Sequence, residues 1–417
     1  MDNSLPNSTL GAVSHACKAS RELALTPAQI RRQGILRLAE AIEDNLDDIL
    51  EANTLDLEMS RDMAVSELTA DWLKLTPERL SAAVAILQQL GKTKNSVQDL
   101  VGAVYQSEPG QTYCQPKPLG TIALIYEAFP ELAVIATGMC LKTGNSLVLR
   151  GCSTASYTNR AIAGTLQKAL TDTELPVGCI EVLSPEAGSS IQDLVTRERE
   201  LDLIIPYGRP SLVQQIAEQA TAPVLRTSVG NCYLYWSATG NLELVRNMIL
   251  SSHEGNPDAV NAIEKVLLHE TVKPSYLTSL FGTLQKQGFE LRGDSDLLKE
   301  FSEYLQPVNP SEWGRAYMKK IIAFHCVQDL SEATTWIDRY SSGHADCLVT
   351  QSYQESRQFA RSVDSALVYI NASPRFERNP GSGETVFLGM SNQKGHSQGL
   401  IGLNSLTTVK QVIQGQE

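Results

Sequence analysis

Short polar segments follow apolar runs in the first half of the chain and carry the side chains best suited to holding a ligand. They are Tyr126-Glu127-Ala128 after the run 121–125, Arg150 after the run 146–149, and Pro206-Tyr207-Gly208 at the end of the run that begins at Asp202. Phenol, carboxylate and guanidinium groups form directional hydrogen bonds and ion pairs with polar ligands. No GxGxxG pattern occurs, so an ordinary dinucleotide-binding phosphate loop is not indicated.

The eight cysteines are scattered, without CxxC pairs or histidines at metal-ligand spacing. In a chain of 417 residues, neither a disulfide framework nor a metal site is indicated. Cys140, Cys179 and Cys347 stand in apolar runs, and we predict that they are core residues.

Residues 117–151 show which elements position the polar segments. An apolar run leads through Pro130 into a helical stretch that ends at Gly144, and a second apolar run follows at 146–149. Proline suits the first helical turn, and glycine suits the position after the last one. Because neither run alternates with polar residues, the pattern predicts a βαβ unit in a parallel sheet buried on both faces.

The alternation continues and predicts a doubly wound α/β domain whose ligand site lies at the carboxyl ends of its strands. The predicted strands are 121–125, 146–150, 180–183, 202–206 and 223–225, with helices at 131–141, 156–170, 188–196 and 211–220. A second α/β stretch is predicted from about residue 230, with strands near 232–236, 265–268, 321–324, 346–350 and 367–370.

The residues before 110 are predicted to be helical. Thr26-Pro27 and Thr76-Pro77 each have the residue types of an N-cap and a first helical position. Residues 110–117 contain Gly110 and Pro116 and are interpreted as a link into the α/β domain.

Composition limits the classes of partner. A net charge of −12 with a pI near 5.1 argues against a nucleic-acid-binding surface. The N-terminus has no basic segment followed by an apolar one, and no run approaches the roughly 20 apolar residues of a membrane span. We therefore expect a cytoplasmic protein of two domains that binds neither nucleic acid nor membrane.

Several segments closely resemble γ-glutamyl phosphate reductase, also called glutamate-5-semialdehyde dehydrogenase, of the aldehyde dehydrogenase superfamily. They are PLGTIALIYEAFP (118–130), CLKTGN (140–145), LVLRG (147–151), LTPERL (75–80), DLIIP (202–206), YINASPRF (369–376), QKGH (393–396) and GLNSLTT (402–408). The resemblance runs over nearly the whole chain. It implies a cofactor-binding-type α/β domain at 1–228, a catalytic-type α/β domain at 229–372, and a C-terminal return at 373–417 that forms an oligomerisation element with 110–117.

The resemblance also implies a reaction. In that family NADPH reduces L-glutamate 5-phosphate to glutamate 5-semialdehyde, a step of proline biosynthesis, through a cysteine thioester. A homo-oligomer is implied as well. The chemistry requires a thiolate nucleophile, donors for an oxyanion, and basic groups for the substrate's phosphate and carboxylate.

The position of the nucleophile falls in HEGNPDAVNAIEKVLL (253–268), where Val260 stands in place of the cysteine and Asn261 is the retained neighbour. Valine has no nucleophilic atom, and removing the nucleophile of a covalent mechanism costs on the order of 10⁶ in rate. Cys232 is the nearest cysteine in sequence; it is either a substitute nucleophile or a buried strand thiol.

Other substrate-side positions depart in the same direction. Where the family has Arg-Pro-Asn this chain has Phe129-Pro130-Glu131, and where it has Arg-Gly-Gly this chain has Tyr207-Gly208-Arg209. Phe387 stands at a glutamate position and Gln398 at an arginine position. Arg209 is expected to restore part of the lost positive charge.

The cofactor side is less altered, and the resemblance implies cofactor contacts for a set of retained residues: Tyr126, Glu127, Ala128, Arg150, Pro206 and Gly208. The family's Gly and Lys after Arg150-Gly151 are Cys152 and Ser153 here, which weakens the expectation of a bound 2′-phosphate. Arg150 is either a cofactor contact or part of a surface ion pair.

Alternatives stay open for other polar residues. Lys142 is either functional or a cation favoured at a helix C-terminus, and His253 with Glu254 is either a catalytic pair or loop. Lys394 and His396 are interpreted as structural, and Asn371 as the close of a strand-to-loop turn.

Three hypotheses follow. The protein has lost the reaction and serves as a ligand-binding, regulatory or partner protein, as Val260 indicates. Alternatively, it is an oxidoreductase acting on a different substrate without a thioester, as the retained cofactor side indicates. The third hypothesis is a protein kept for oligomer formation alone.

Overall fold

A computed structural model of the protein describes residues 9–93, 110–188, 190–255, 258–381, 385–393, 395 and 397–415. The chain divides into two compact units. Unit 1 comprises the described residues of Met1–Arg226, Arg378–Leu388 and Ile401–Glu417, and unit 2 those of Thr227–Glu377 and Gly389–Leu400. The chain after residue 377 therefore contributes to both units, rather than forming a segment of its own.

Unit 1 begins with helices α1 (Thr9–Leu25), α2 (Ala28–Asp44), α3 (Leu46–Asp62), α4 (Glu67–Leu73) and α5 (Pro77–Lys92). Apolar residues at helical spacing turn one face of α2 inward, and its buried residues include Ile35, Leu38 and Ile42. The buried face of α3 is mostly polar, with Asn53, Asp56 and Ser60 beside Ile49.

The two Thr-Pro signals have different outcomes. Thr76 caps α5 by accepting a hydrogen bond from the Arg79 N–H, and Pro77 is the first helical residue. Thr26 does not cap α2, because its hydroxyl donates to the Glu22 carbonyl of the preceding helix and Pro27 occupies the cap position. The prediction for Thr26 was wrong since α1 runs to Leu25, where its last carbonyls need donors.

The sheet of unit 1 follows the predicted alternation. Its elements and the strand before it are β1 (Gly110–Pro118), β2 (Thr121–Tyr126), α6 (Glu131–Thr143), β3 (Ser146–Gly151), α7 (Ser156–Thr171), β4 (Ile180–Leu183), α8 (Ile191–Val195), β5 (Leu203–Tyr207) and α9 (Pro210–Gln219). Four strands pair in parallel in the order β4-β3-β2-β5. The predicted link at 110–117 is a strand, and the predicted strand at 223–225 is a single bridge between Ile204 and Val224.

Helix α6 explains why the βαβ pattern is so apolar. All thirteen of its residues are buried, since it lies between the sheet and helices α2 and α5. Pro130 is its N-cap rather than its first residue, and Gly144 ends it with φ of 86°, the left-handed conformation that glycine adopts most readily.

Unit 2 is built on a second parallel sheet. Its elements are β6 (Cys232–Trp236), α10 (Leu242–Ser252), β7 (Ile263–His269), α11 (Pro274–Lys286), β8 (Glu290–Gly293), α12 (Ser295–Phe301), β9 (Gln306–Pro307), β10 (Ile321–Val327), α13 (Leu330–Tyr340), β11 (Ala345–Val349), α14 (Tyr353–Ser362), β12 (Leu367–Ile370), β13 (Met390–Ser391) and β14 (Gly399–Leu400). Seven strands follow the order β12-β11-β6-β7-β10-β8-β9.

Both faces of this sheet are covered. Leu234 and Trp236 of β6 pack with α10 and α11 residues, while Tyr233 and Tyr235 pack with α13 and α14 residues, as the two-residue period of a strand requires. Strand β8 escaped prediction because charged Glu290 and Arg292 alternate with only one large apolar residue, Leu291.

The final strand, β15 (Thr407–Gly415), pairs antiparallel with β1 from Gly110↔Gly415 to Pro118↔Thr407. The resemblance assigned these two segments to oligomerisation; the structure brings them together within unit 1. Across the residues that the structure describes, no helix has the length and apolarity that crossing a bilayer demands.

Candidate functional site

The six residues predicted to contact a cofactor lie together at the carboxyl edge of the unit 1 sheet. Tyr126 ends β2, Arg150 lies near the end of β3, and Pro206 lies near the end of β5. Glu127, Ala128 and Gly208 belong to the turns that follow β2 and β5. Strands β3 and β4 are added on one side of β2, and β5 is added on the other. This edge therefore includes the switch point where doubly wound sheets bind ligands.

The side chains of Tyr126 and Arg150 are held inside this edge. Tyr126 is 2 % exposed and donates from its hydroxyl to Asn159 Oδ1 at 2.8 Å. Arg150 is 8 % exposed and donates from Nη1 to the carbonyl of Gly151. Burial lowers the pKa of the Arg150 guanidinium. The surface ion pair considered for Arg150 is therefore wrong, because the side chain is not on the surface.

Glu127 and Arg209 join the turns after β2 and β5. Arg209 donates from Nε and Nη2 to Glu127 Oε1, at 3.0 and 2.6 Å, and its backbone N–H donates to Oε2. Gly208 between them permits the close approach, because a Cβ there would lie 2.8 Å from Glu127 Cβ. Arg209 therefore neutralises Glu127 and does not restore a free positive charge.

Cys152 lies where β3 passes into α7. The Ala128 N–H donates to its Sγ at 3.4 Å, and the Thr154 hydroxyl is 2.9 Å from the same sulfur. Ala128 has φ of 55°, which is uncommon for a residue with a Cβ. The turns after β2 and β3 are thus fixed to each other.

Glu186, which the sequence did not single out, completes the edge at the end of β4. Its carboxylate accepts from the Ser156 hydroxyl and from Arg160 Nη2 at 2.5 Å, both on α7. Only the prediction that ligands bind just after each strand could have pointed to it.

Phe129 and Glu131 are core residues of unit 1. The Phe129 ring is fully buried, with its centroid 4.7 Å from that of Trp72 and 5.3 Å from that of Tyr207. Glu131 is 4 % exposed and accepts from Arg79 Nη2 with both oxygens at 2.7 Å. Phe129 is therefore an aromatic core residue, and Glu131 is a buried partner of Arg79.

The other positions singled out from the sequence have separate environments. Lys142 is buried in the last turn of α6, with Nζ donating to the Thr93 carbonyl at 2.6 Å. Phe387 is half-buried, whereas Gln398 is exposed. Lys394 and His396 lie outside the described residues.

Val260 lies in a turn of unit 2, three residues before the start of β7, and is fully buried. Its carbonyl accepts from the Gly230 N–H at 2.8 Å and lies 2.9 Å from His344 Nε2. A carbonyl can only accept, so Nε2 of His344 carries a proton. The backbone at Val260 is consequently held from two directions.

Cys232 Sγ lies 3.4 Å from the same His344 Nε2. Burial raises the pKa of the Cys232 thiol well above its ordinary value and lowers that of His344 to about 4. Because Nε2 is already protonated and directed at Val260, it offers the thiol no base. The environment is that of a buried strand thiol.

Two polar side chains near Val260 form hydrogen bonds to backbone groups, although Oδ1 of Asn261 has no partner among the described residues. Asn261 is fully buried and donates to the Pro374 carbonyl at 2.8 Å. Glu264 accepts from the N–H groups of Asn231, Tyr317 and Met318 at 2.7 to 2.9 Å.

His253 and Glu254 do not form a pair. His253 is bonded through Nε2 to the Ile263 carbonyl at 3.0 Å, whereas the exposed Glu254 pairs with Arg375. Asn371, with φ of 52°, bonds Thr350 through both ends of its amide and closes the turn after β12.

Comparison with known proteins identifies the family to which this chain is similar. Residues 6–286 match the model of the aldehyde dehydrogenase family. The chain is 52 % identical to gamma-glutamyl phosphate reductase 2 of Synechocystis, over 93 % of this chain and 92 % of that protein. It is 36 % identical to gamma-glutamyl phosphate reductase of Gloeobacter violaceus, over 100 % and 99 % of the two chains.

Among solved structures, that of gamma-glutamyl phosphate reductase from Thermotoga maritima is similar, with a TM-score of 0.89, 30 % identity and 98 % of each chain covered. These similarities extend over nearly the whole length of the chain and of each relative. The chain belongs to the γ-glutamyl phosphate reductase family of the aldehyde dehydrogenases.

Proposed function

We propose that this protein retains the part of its family's site that binds the nucleotide and lacks the part that forms a covalent thioester. It binds a nicotinamide nucleotide at the carboxyl edge of the unit 1 sheet and does not reduce γ-glutamyl phosphate through a thioester. Relatives are named for that reduction, so the lost activity is the one their names describe.

The observation that carries the proposal is Val260. It stands where the resemblance implies the cysteine nucleophile, has no nucleophilic atom, and is fully buried beside β7. The nearest thiol by sequence, Cys232, is also fully buried, and its neighbour His344 is not a base toward it. A thioester requires an accessible thiolate, and this segment supplies none.

Polar groups at the carboxyl edge of the unit 1 sheet support nucleotide binding. The Arg209 guanidinium and Glu127 carboxylate join the turns after β2 and β5, and α9 begins directly afterwards at Pro210. Hydroxyls of Ser153 and Thr154 follow β3. Helix N-termini and strand-end turns bind phosphate and ribose groups by their N–H donors and polar side chains. A bound nicotinamide ring would supply or accept a hydride.

A second candidate function rests on this same edge. Hydride transfer to or from a different, less anionic substrate needs a bound nucleotide but no thiol. The retention of Tyr126, Glu127 and Arg150 at the strand ends favours it. Both candidate functions predict nucleotide binding, but only the second predicts catalytic turnover.

Two measurements on the purified full chain test the proposal. Calorimetric titration with NAD(H) and NADP(H) should show binding, and the oxidation of glutamate semialdehyde with either nucleotide should show no turnover. Turnover comparable to that of an active family member would overturn it, and the absence of binding by every nucleotide would do the same. A proline auxotroph that the gene fails to rescue would support the loss of activity in cells.

The proposal includes a homo-oligomer formed through the β1–β15 ribbon. Tyr113, Val409 and Ile413 are exposed on these two strands, and exposed apolar strand surface favours association. Native mass spectrometry should detect more than one chain per particle, and a monomer would remove this part of the proposal.

A further inference from the structure

The ends of β3 and β4 form the part of the unit 1 edge that would face the adenosine ribose. In a doubly wound sheet the first strand leads to the phosphates, and the residue at the end of the second strand contacts the 2′ position of the ribose. In this unit β2 is that first strand and β3 the second, with β4 beyond it. A hydroxyl or an acid there suits a free 2′-hydroxyl, whereas an arginine or lysine suits a 2′-phosphate.

The end of β3 presents no extended cation. Arg150 is folded into the protein, 8 % exposed, with its guanidinium on the Gly151 carbonyl. The following residues are Cys152, whose sulfur accepts the Ala128 N–H, and the exposed Ser153. The groups after β3 are therefore a thiol and hydroxyls.

The end of β4 presents an acid. Glu186 lies in the turn Pro185–Ala187 that follows the strand, with a side chain that is 51 % exposed. The Ser156 hydroxyl and Arg160 Nη2 hold its carboxylate against the first two turns of α7, the helix that begins just after β3. An acid is thus fixed between the ends of the two strands.

Arg160 is the one cation of this group that a 2′-phosphate could approach. It is already paired with Glu186 at 2.5 Å. A phosphate that took this guanidinium would displace the carboxylate and then stand beside it, where two like charges repel.

We propose that the nucleotide site of this protein selects a dinucleotide without a 2′-phosphate, NAD(H) over NADP(H), and that Ser153 and Glu186 determine the selection. The inference rests on the proposed function, since it specifies the nucleotide bound at the same edge. It runs against the NADPH that the resemblance implied.

Adenosine fragments test the selection without any turnover. 5′-AMP and 2′,5′-ADP differ only by the 2′-phosphate, and calorimetry on the full chain should show 5′-AMP binding about tenfold more tightly or better. NAD⁺ should exceed NADP⁺ in affinity by a similar factor. Equal or tighter binding of the 2′-phosphorylated member of either pair would overturn the inference and leave the proposed function standing.

Substitutions at Ser153 and Glu186 should raise the affinity for 2′,5′-ADP relative to that for 5′-AMP. Ser153→Lys with Glu186→Gln should tighten 2′,5′-ADP binding by about tenfold or more, because a cation is added and an anion removed. Affinity for 5′-AMP should stay the same or fall, because the replaced groups are the ones that suit a free 2′-hydroxyl. A general loosening of the site would weaken both ligands. If the double variant has the same ratio of 2′,5′-ADP to 5′-AMP affinity as the wild type, these two residues do not determine the nucleotide selection.

Glu40→Gln is the matched control, since Glu40 is a surface carboxylate paired with Arg37 on α2. It should leave both affinities unchanged, and thermal unfolding should show all variants folded. If neither fragment and no dinucleotide binds the wild type, the proposed function fails together with this inference. If NADP⁺ alone binds, only this inference fails.

Discussion

The carboxyl edge of the unit 1 sheet and the segment before β7 in unit 2 differ in how exposed their polar residues are. At the first, the side chains of Glu186, Arg160 and Arg209 are 46 to 67 % exposed. At the second, Val260, Asn261 and His344 are fully buried and bonded to backbone. The first region presents charged groups to solvent, and the second is part of the core of unit 2.

The difference separates polar groups that stabilise the fold from polar groups that a ligand could reach. Val260 lies three residues before the start of β7 and is fully buried. Glu131, inside unit 1, accepts hydrogen bonds from Arg79 Nη2 with both carboxylate oxygens. Buried groups bonded in this way hold the structure together and are not available to a ligand.

The largest expected effect lies in the core of unit 1. Glu131→Gln should lower the free energy of unfolding by about 3 to 5 kcal/mol, because it leaves the Arg79 guanidinium buried without its carboxylate. Urea unfolding measures this. Glu254→Gln, which breaks the exposed pair with Arg375, is the control and should cost less than about 1 kcal/mol. Equal losses would show that Arg79 and Glu131 are not an essential pair.

The second effect is a pH dependence of the Val260 region. Burial lowers the pKa of His344 to about 4, below its value of about 6.5 in the unfolded chain. The resulting stability is present above about pH 6.5 and is lost as the pH falls through 4. At pH 4.5 the loss should reach about 2 to 3 kcal/mol.

His344→Gln isolates that term, because glutamine can still donate to the Val260 carbonyl but does not titrate. Unfolding measured from pH 7.5 to 4.5 should give a flatter curve for the variant. Subtracting the curves removes the opposite trend expected from Asp346, whose pKa burial raises to about 7. Parallel curves for the two proteins would contradict a buried neutral His344.

A smaller effect is expected at the unit 1 edge. Arg209→Gln should cost about 1 kcal/mol of stability or less, since Arg209 is 46 % exposed. It should weaken nucleotide binding several-fold, because Glu127 is then an uncompensated anion beside phosphates. Calorimetry and thermal unfolding of the same sample separate the two. A large stability loss with unchanged affinity would make this pair structural and weaken the comparison.

The smallest effect is expected at the nucleophile position itself. Val260→Cys should change stability by less than about 1.5 kcal/mol and should not restore oxidation of glutamate semialdehyde, since Phe129, Glu131, Phe387 and Gln398 also differ from the family. An active family member assayed in parallel is the control. Substantial turnover from this single substitution would show that the other departures matter little.

The fold was largely predictable because its local signals agree. Apolar runs without alternation predicted the parallel strands around α6, and Gly144 predicted where that helix ends. Secondary-structure predictions failed where an element is very short or where its bounds depend on a neighbouring element. Strand β8 has only four residues, and Thr26 meets the end of α1 before it can cap α2.

The positions of the candidate site residues in the sheet were predictable, whereas their contacts were less so. The strand ends were predicted from the parallel sheet alone, and all six named cofactor residues lie there. The pairings Glu127 with Arg209 and Glu186 with Arg160 were not, because each partner lies on another strand end or helix and nothing local marks it. Arg150 was expected to reach a ligand or the surface, and only the packing around β3 shows it folded inward.

By itself, the sequence determined most of the order of strands and helices and the absence of a thiol at residue 260, because the spacing of residue types carries these directly. Its resemblance to a known family implied the family. The tertiary structure decided which charges are free. Glu131 became a core ion-pair partner rather than a site anion, and Arg209 was neutralised by Glu127. The physical reason is that a charge acts on a ligand only when no nearer partner in the folded chain has already taken it.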